Sequence, residues 1–180
     1  MDNVIWILEK TVLEDLLLAS NEKYLAEVNK FVKEMESLAG SEVVVGIPAT
    51  ANKVHVGADK EIISLASLGA IHEYGAPKAN IPQRSFLRVP LTKNVDDLFK
   101  FIEKDLKFSK IDTSIALGRL GAKGQSVVLE AFNSQGDGTW SKLKAGTIRQ
   151  RKKGKSSGSD KPLIDTGQLR QAITYEVRKG

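Results

Sequence analysis

The sequence predicts an α+β fold: a small antiparallel sheet packed against two to three helices, with long extended loops between them. Apolar residues recur at helical spacing in three segments, 21–38, 94–109 and 112–133. Short β-branched runs stand at 42–48, 54–57 and 173–177. Between them lie stretches without apolar periodicity, at 72–90 and 134–162, which read as loops.

The elements follow in chain order. Residues 3–18 carry Val4, Ile5, Leu8, Val12 and Leu16 and read as helical. A second helix over 21–38 sets Tyr24, Leu25, Val28, Phe31, Val32, Met35 and Leu38 in one stripe, the face expected to pack on the sheet. Ser20 or Asn21 can cap its start and Gly40 can end it. Residues 1–20 are therefore read as an N-terminal extension, and 21–180 as the α+β domain. The period then changes. Residues 42–48 and 54–57, separated by a polar turn, predict the two strands of a hairpin, and the apolar run at 61–71 predicts a short helix. Segment 72–90 holds Pro77, Pro82 and Pro90 and predicts a long extended arm. A loop of that length in a compact domain is usually functional or an interface.

Asn94 and Asp97 resemble a capping box, followed by a helix whose buried face is Val95, Leu98, Phe99, Ile102 and Leu106. The helix over about 112–133 carries Gly118, Gly121 and Gly124. Each internal glycine costs up to about 1 kcal/mol relative to alanine. Three of them imply close backbone approach to a neighbour, or a weak helix. Toward the C-terminus, Thr166-Gly167 ends a turn and caps a short helix from near Gln168. The alternating Ile173–Val177 run reads as a strand that pairs non-locally and closes the sheet.

Composition narrows the function class. With 41% hydrophobic and 27% charged residues the chain can bury a core and stay soluble. There is no cysteine, which excludes disulfides and thiolate metal sites. Asp2, Glu9, Lys10, Glu14 and Asp15 interrupt the N-terminal apolar residues, so a signal peptide and a membrane span are not expected. The net charge of +5 is local. Residues 139–162 hold Lys142, Lys144, Arg149, Arg151, Lys152, Lys153, Lys155 and Lys161 against Asp160, a balance of +7, while the remainder is −2. The pI of 9.3 thus belongs to one basic loop, about 141–161, and not to a basic body. Its Gly154–Asp160 portion predicts mobility across about 150–160.

Catalytic and cofactor chemistry finds little purchase. Two histidines are too few for a metal site; His72-Glu73 reads as a pair that hydrogen-bonds its loop or meets a neighbouring subunit, and His55 alternates with valines on a strand. No Gly-x-Ser-x-Gly elbow is present. Gly154-Lys155-Ser156 lacks the earlier glycine and the preceding strand of a phosphate-binding loop, and the Gly118/Gly121/Gly124 series lacks the dinucleotide core pattern. No enzyme activity and no cofactor are expected. Eight cations can neutralise phosphates, but Trp140 is the only aromatic among them, so stacking on bases is poorly served. The alternatives are a solvated loop and one ordered against an acidic partner.

Three stretches in order resemble a known family. The first is Ala70-Ile71-His72-Glu73-Tyr74-Gly75 followed by Ile81-Pro82-Gln83-Arg84-Ser85-Phe86-Leu87-Arg88; the second is Trp140-Ser141-Lys142-Leu143 with Thr147-Ile148; the third is Pro162-Leu163-Ile164-Asp165-Thr166-Gly167-Gln168-Leu169-Arg170. Together they are similar to the phage virion-morphogenesis and tail-completion proteins typified by the G protein of phage Mu. The resemblance covers about residues 40–180, and that family commonly has proline where Ser85 stands. It implies a structural virion protein, assembled in the host bacterial cytoplasm and residing in the tail or neck, where copies form a ring that joins head to tail. A tail terminator or a head–tail connector ring is the nearest alternative, and a basic nucleic-acid-binding regulator is the alternative of a different class. The implied partners are further copies of the chain, as a hexamer matching a six-fold tail, and the neighbouring neck, connector, tail-tube or terminator proteins, with packaged DNA open to the basic loop and no membrane. The residues expected at intersubunit contacts are Tyr74, Ile81, Pro82, Arg84, Phe86, Leu87 and Arg88, on an arm whose apolar anchors Phe86 and Leu87 reach a neighbour.

Overall fold

A computed structural model describes residues 2–56, 62–108, 112–153 and 160–179. It is an α+β chain that divides into two compact units, one holding residues 1–41 with 179–180 and the other 42–178.

The first unit is a single helix, α1 (Asp2–Ala39), unbroken where the sequence predicts two helices and an extension ending at residue 20. The reason is local. The Leu16–Tyr24 stretch contains neither proline nor glycine, and Ser20 and Asn21 continue the helix rather than capping a new one. The predicted domain boundary accordingly moves to Ser41/Glu42. The stripe expected to pack on the sheet is instead open: Tyr24, Leu25, Phe31, Val32 and Met35 are all exposed, Tyr24 at 67% and Phe31 at 62%.

In the second unit, β1 (Ser41–Gly46) does not form a hairpin with β2 (Val54–Val56). Pro48 ends the run, turns at 48–53 redirect the chain, and β2 pairs antiparallel with β3 (Ile62–Ser64), His55 opposite Ile63. The partner of β1 is the C-terminal β4 (Thr174–Lys179), the non-local pairing that the sequence predicts. α2 (Leu65–Tyr74) follows directly on β3, its start capped by the Ser64 hydroxyl accepting from the Ser67 amide at 3.1 Å.

The 72–90 segment is not an extended arm. α2 stops at Gly75, whose φ of +77° only glycine adopts cheaply. The chain then doubles back, with Ala76 and Ile81 exchanging both backbone hydrogen bonds across a 3-10 turn at Pro77–Ala79. It returns into α3 (Arg88–Lys93) and α4 (Val95–Phe108). The Asn94–Asp97 capping box is not formed as expected: the Asn94 side chain donates backward to the Pro90 carbonyl at 2.9 Å. On α4, Val95 and Phe99 are exposed and not part of a buried face. With Val43, Val45, Leu91, Leu98 and Leu120 they line an apolar groove of about 330 Å³.

α5 (Thr113–Ser134) lies where the periodicity predicts it. The Asp112 carboxylate caps it, accepting from the Ser114 amide at 2.8 Å. Two of its glycines explain themselves. A Cβ on Gly121 would fall inside the ring of Tyr175 on β4, and one on Gly124 would come within 3.0 Å of a Val45 methyl on β1. The strand pair therefore sits directly on the helix backbone, and the Gln125 amide ties the two by donating to the Ile173 carbonyl at 2.8 Å. Gly118 meets nothing within 4 Å. α6 (Ala145–Lys153) and α7 (Gln168–Gln171) complete the helices.

The core gathers Phe86, Val128, Ala131, Phe132, Trp140, Leu163, Leu169 and Ile173, all buried. Phe132 is its centre, tilted on Phe86 at 5.1 Å and edge-on to Trp140 at 6.0 Å. None of the described helices is long and apolar enough to cross a membrane.

Candidate functional site

Glu73, on the last turn of α2, is 5% exposed and organises the returning chain. Its carboxylate accepts from the backbone amides of Phe86 at 2.9 Å, Leu87 at 3.0 Å and Arg88 at 3.1 Å, and from the Ser85 hydroxyl. The Ser85 oxygen in turn accepts from the Val89 amide at 3.1 Å. The first amides of α3, which have no partner inside the helix, are thus satisfied by one buried carboxylate and one hydroxyl. The 73–75 and 85–88 motif is a clasp within the chain. Read from sequence, the His72-Glu73 pair either bonded its loop or met a neighbour; Glu73 does the former.

The clasp fixes what precedes it. The Arg84 amide donates to the His72 carbonyl at 2.8 Å, which turns the Arg84 side chain across the segment after Trp140. There its Nε and Nη2 both donate to the Ser141 carbonyl, at 3.1 and 2.9 Å. From the other side Arg151 on α6 donates to the carbonyls of Lys161 and Ile164, at 3.0 and 2.9 Å, and pairs with Asp165 at 3.6 Å. His55 on β2 meets the Gln168 side chain on α7 at 2.8 Å.

These residues surround one cavity of about 460 Å³. All three motif stretches meet there, through His72, Ile81, Pro82 and Arg84, through Lys142, Leu143, Lys144 and Thr147, and through Leu163 and Asp165–Leu169. Its electrostatics are lopsided. Arg84, Lys142, Lys144 and Arg151 line it against the carboxylate of Asp165 alone. Arg84 is 6% exposed, and among the described residues no carboxylate lies within ion-pair distance of it. Burial, and then the Arg151 charge, push the Arg84 guanidinium below its ordinary value. The His72 imidazole is pushed down from 6.5 to about 4, chiefly by burial and then by Arg84 and Arg151, and its Nδ1 is buried without a hydrogen-bond partner. The wall is a positive surface that, together with burial, lowers the His72 pKa.

The residues predicted at intersubunit contacts separate into three groups. Phe86, at 2% exposed, is core and is removed from the contact set: the clasp points it inward against Phe132. Leu87 is half-buried and packs on the same core. Arg84, Ile81 and Pro82 face the cavity. Only Tyr74, 67% exposed, and Arg88 stand outward as an interface residue would.

The basic loop also divides. Arg149, Arg151, Lys152 and Lys153 belong to helix α6, the last three in its final turn, where cations offset the partial negative charge of a helix C-terminus. Lys142 and Lys144 are exposed at the cavity rim. Lys155, and residues 154–159 of the stretch expected to be mobile, lie outside the described residues; the preceding part is helical. Trp140 is buried and offers no face to a base. Among the described residues no group of three or more His, Asp or Glu side chains converges as metal ligands. Sequence reasoning did not place His55, Asp165 and Gln168 at one cavity with Arg84, since nothing in their spacing links positions 29 to 84 residues apart.

No protein-family model, curated protein or solved structure matches this chain.

Proposed function

We propose that this chain is a non-enzymatic structural subunit of a tailed bacteriophage, a tail-completion or neck protein whose copies form a ring at the head–tail junction. One observation carries the reading: the three separated stretches that resemble the phage family converge on a single framework, the Glu73 clasp and the cavity beside it. Residues that make up one built feature are a firmer basis for a family resemblance than the same residues scattered over a surface.

The exposed side of α1 supports the assembly half of the proposal. Val28, Phe31, Met35 and Leu38 recur at alternating steps of three and four, and Leu25 and Val32 widen the stripe. A seam of that breadth suits packing against more than one neighbouring helix, as in a bundle of copies. Left open in water it is a costly surface, because each such side chain gains roughly 1.5–3 kcal/mol on full burial. Apolar contact supplies affinity in such a ring, and charge on the cavity rim and α6 sets orientation.

Mass spectrometry of purified particles, followed by reconstruction of the neck, tests the proposal. The expected result is the chain in the virion, in several copies around the tail axis. Its absence from particles, or a single copy in each, would overturn it.

A further inference from the structure

We propose that the Arg84 cavity is a carboxylate-binding pocket, which takes an aspartate or glutamate side chain borne on a partner protein segment with apolar flanks. The proposal does not rest on the virion reading and holds or fails separately from it.

The first argument is an unbalanced charge. A buried guanidinium is normally paired, because removing an ion from water without a counter-ion is expensive. Arg84 is buried, its two bonds go to the neutral Ser141 carbonyl, and no described carboxylate reaches it. Guanidinium carries five N–H donors in a planar fork that matches a carboxylate, and Arg84 uses two of its own. Asp165, the carboxylate that lines the cavity, pairs with Arg151 at 3.6 Å and does not reach Arg84.

The second argument is the lining. Leu68, Leu143, Leu163 and Leu169 contribute apolar wall beside the charges. Free inorganic anions have no use for such a wall, whereas a peptide bearing an acid between apolar side chains satisfies both halves. The third is depth. A DNA duplex is a convex rod whose phosphates are met by exposed side chains, and a guanidinium 6% exposed inside a concavity is out of their reach. Lys142 and Lys144 at the rim would attract the acidic segment and Arg84 would hold it.

His72 reports occupancy. Its lowered pKa comes from burial and from the charges of Arg84 and Arg151. A carboxylate placed beside Arg84 opposes that field and eases imidazole protonation.

The test uses the isotopically labelled full chain and three probes: the blocked tripeptide acetyl-Leu-Glu-Leu-amide, its glutamine analogue, and a short DNA duplex. The glutamate peptide should shift the Arg84 Nε–H and His72 ring resonances and raise the His72 pKa, with the glutamine peptide about tenfold weaker or worse. The Lys142→Glu/Lys144→Glu double variant, altered only at exposed positions, should bind the peptide several-fold more weakly while folding normally; Arg84→Gln should abolish the shifts. Equal binding of both peptides, shifts produced by the duplex alone, or no shift at about 10 mM peptide would each overturn the proposal.

Discussion

Single residues carry the sharpest consequences. Gly121 and Gly118 stand one turn apart on the same helix yet predict opposite outcomes. Gly121→Ala drives a methyl into the Tyr175 ring and should cost about 1–3 kcal/mol in urea unfolding, by the usual penalty for overpacking. Gly118→Ala meets open space and should be neutral or stabilising by up to about 1 kcal/mol. Glu73→Ala strands three amides and a hydroxyl, of which the Phe86 amide and the Ser85 hydroxyl are buried, and a loss of about 3 kcal/mol in the same measurement is expected. The Ser85 hydroxyl links the clasp to α3, donating to Glu73 and accepting from the Val89 amide. His72 gives the pH dependence. Its folded pKa of about 4 lies below the unfolded 6.5, so the unfolded chain takes up the proton first as pH falls. Stability from this group is complete above 6.5 and declines from there toward 4, with a slope of at most about 1.4 kcal/mol per pH unit. Denaturation midpoints across that window should fall less steeply in His72→Gln than in the parent chain.

At the scale of elements, the sequence was legible where periodicity is strong and helix ends are chemically marked. α5 emerged with its boundaries because Asp112 caps it and its apolar face is regular. The C-terminal strand was legible as non-local because it stands far from any other run of its kind. The hairpin of 42–48 with 54–57 was not the true pairing, since strand propensity identifies strands but says nothing of partners. The arm was misread for a related reason. Prolines and an absence of apolar period announce a loop, whereas what determines its path is one glutamate bonding amides 13 to 15 residues away. Phe86 follows from that path: as an anchor reaching a neighbour it would tolerate replacement during folding, but as core it should not. Phe86→Ala should cost about 3–5 kcal/mol in the folding equilibrium, as for other buried aromatic residues. α1 offers the contrasting case, since Val28→Asp with Phe31→Asp alters only its own exposed face. Light scattering should then show loss of higher-order species, with the thermal transition of the 42–178 unit unchanged.

For the whole molecule, the asymmetric charge seen in composition resolves into architecture. Part of the basic run ends α6 and part rims the Arg84 cavity, and Lys142, Lys144, Arg149, Lys152 and Lys153 among them are exposed. The candidate site was therefore half-legible. Its residues all lie in stretches that the sequence singled out, but their meeting point depends on the clasp, on the turn after Trp140 and on α7, none of which has a periodic signal. If the chain is the ring subunit proposed above, a reconstruction of the particle should show α1 helices of neighbouring copies side by side.

The pairing of β1 with β4 also sets a timetable for synthesis. More than 120 residues separate the two strands, and α5, made between them, exposes a glycine-notched face until Tyr175 arrives. The nascent chain therefore carries an unpaired strand edge from the synthesis of β1 until β4 is made, the condition in which chaperones engage and misassembly begins. Arrested chains halted before Thr174 should be digested readily by protease within 42–134, and chains extended past Lys179 should become resistant in a single step.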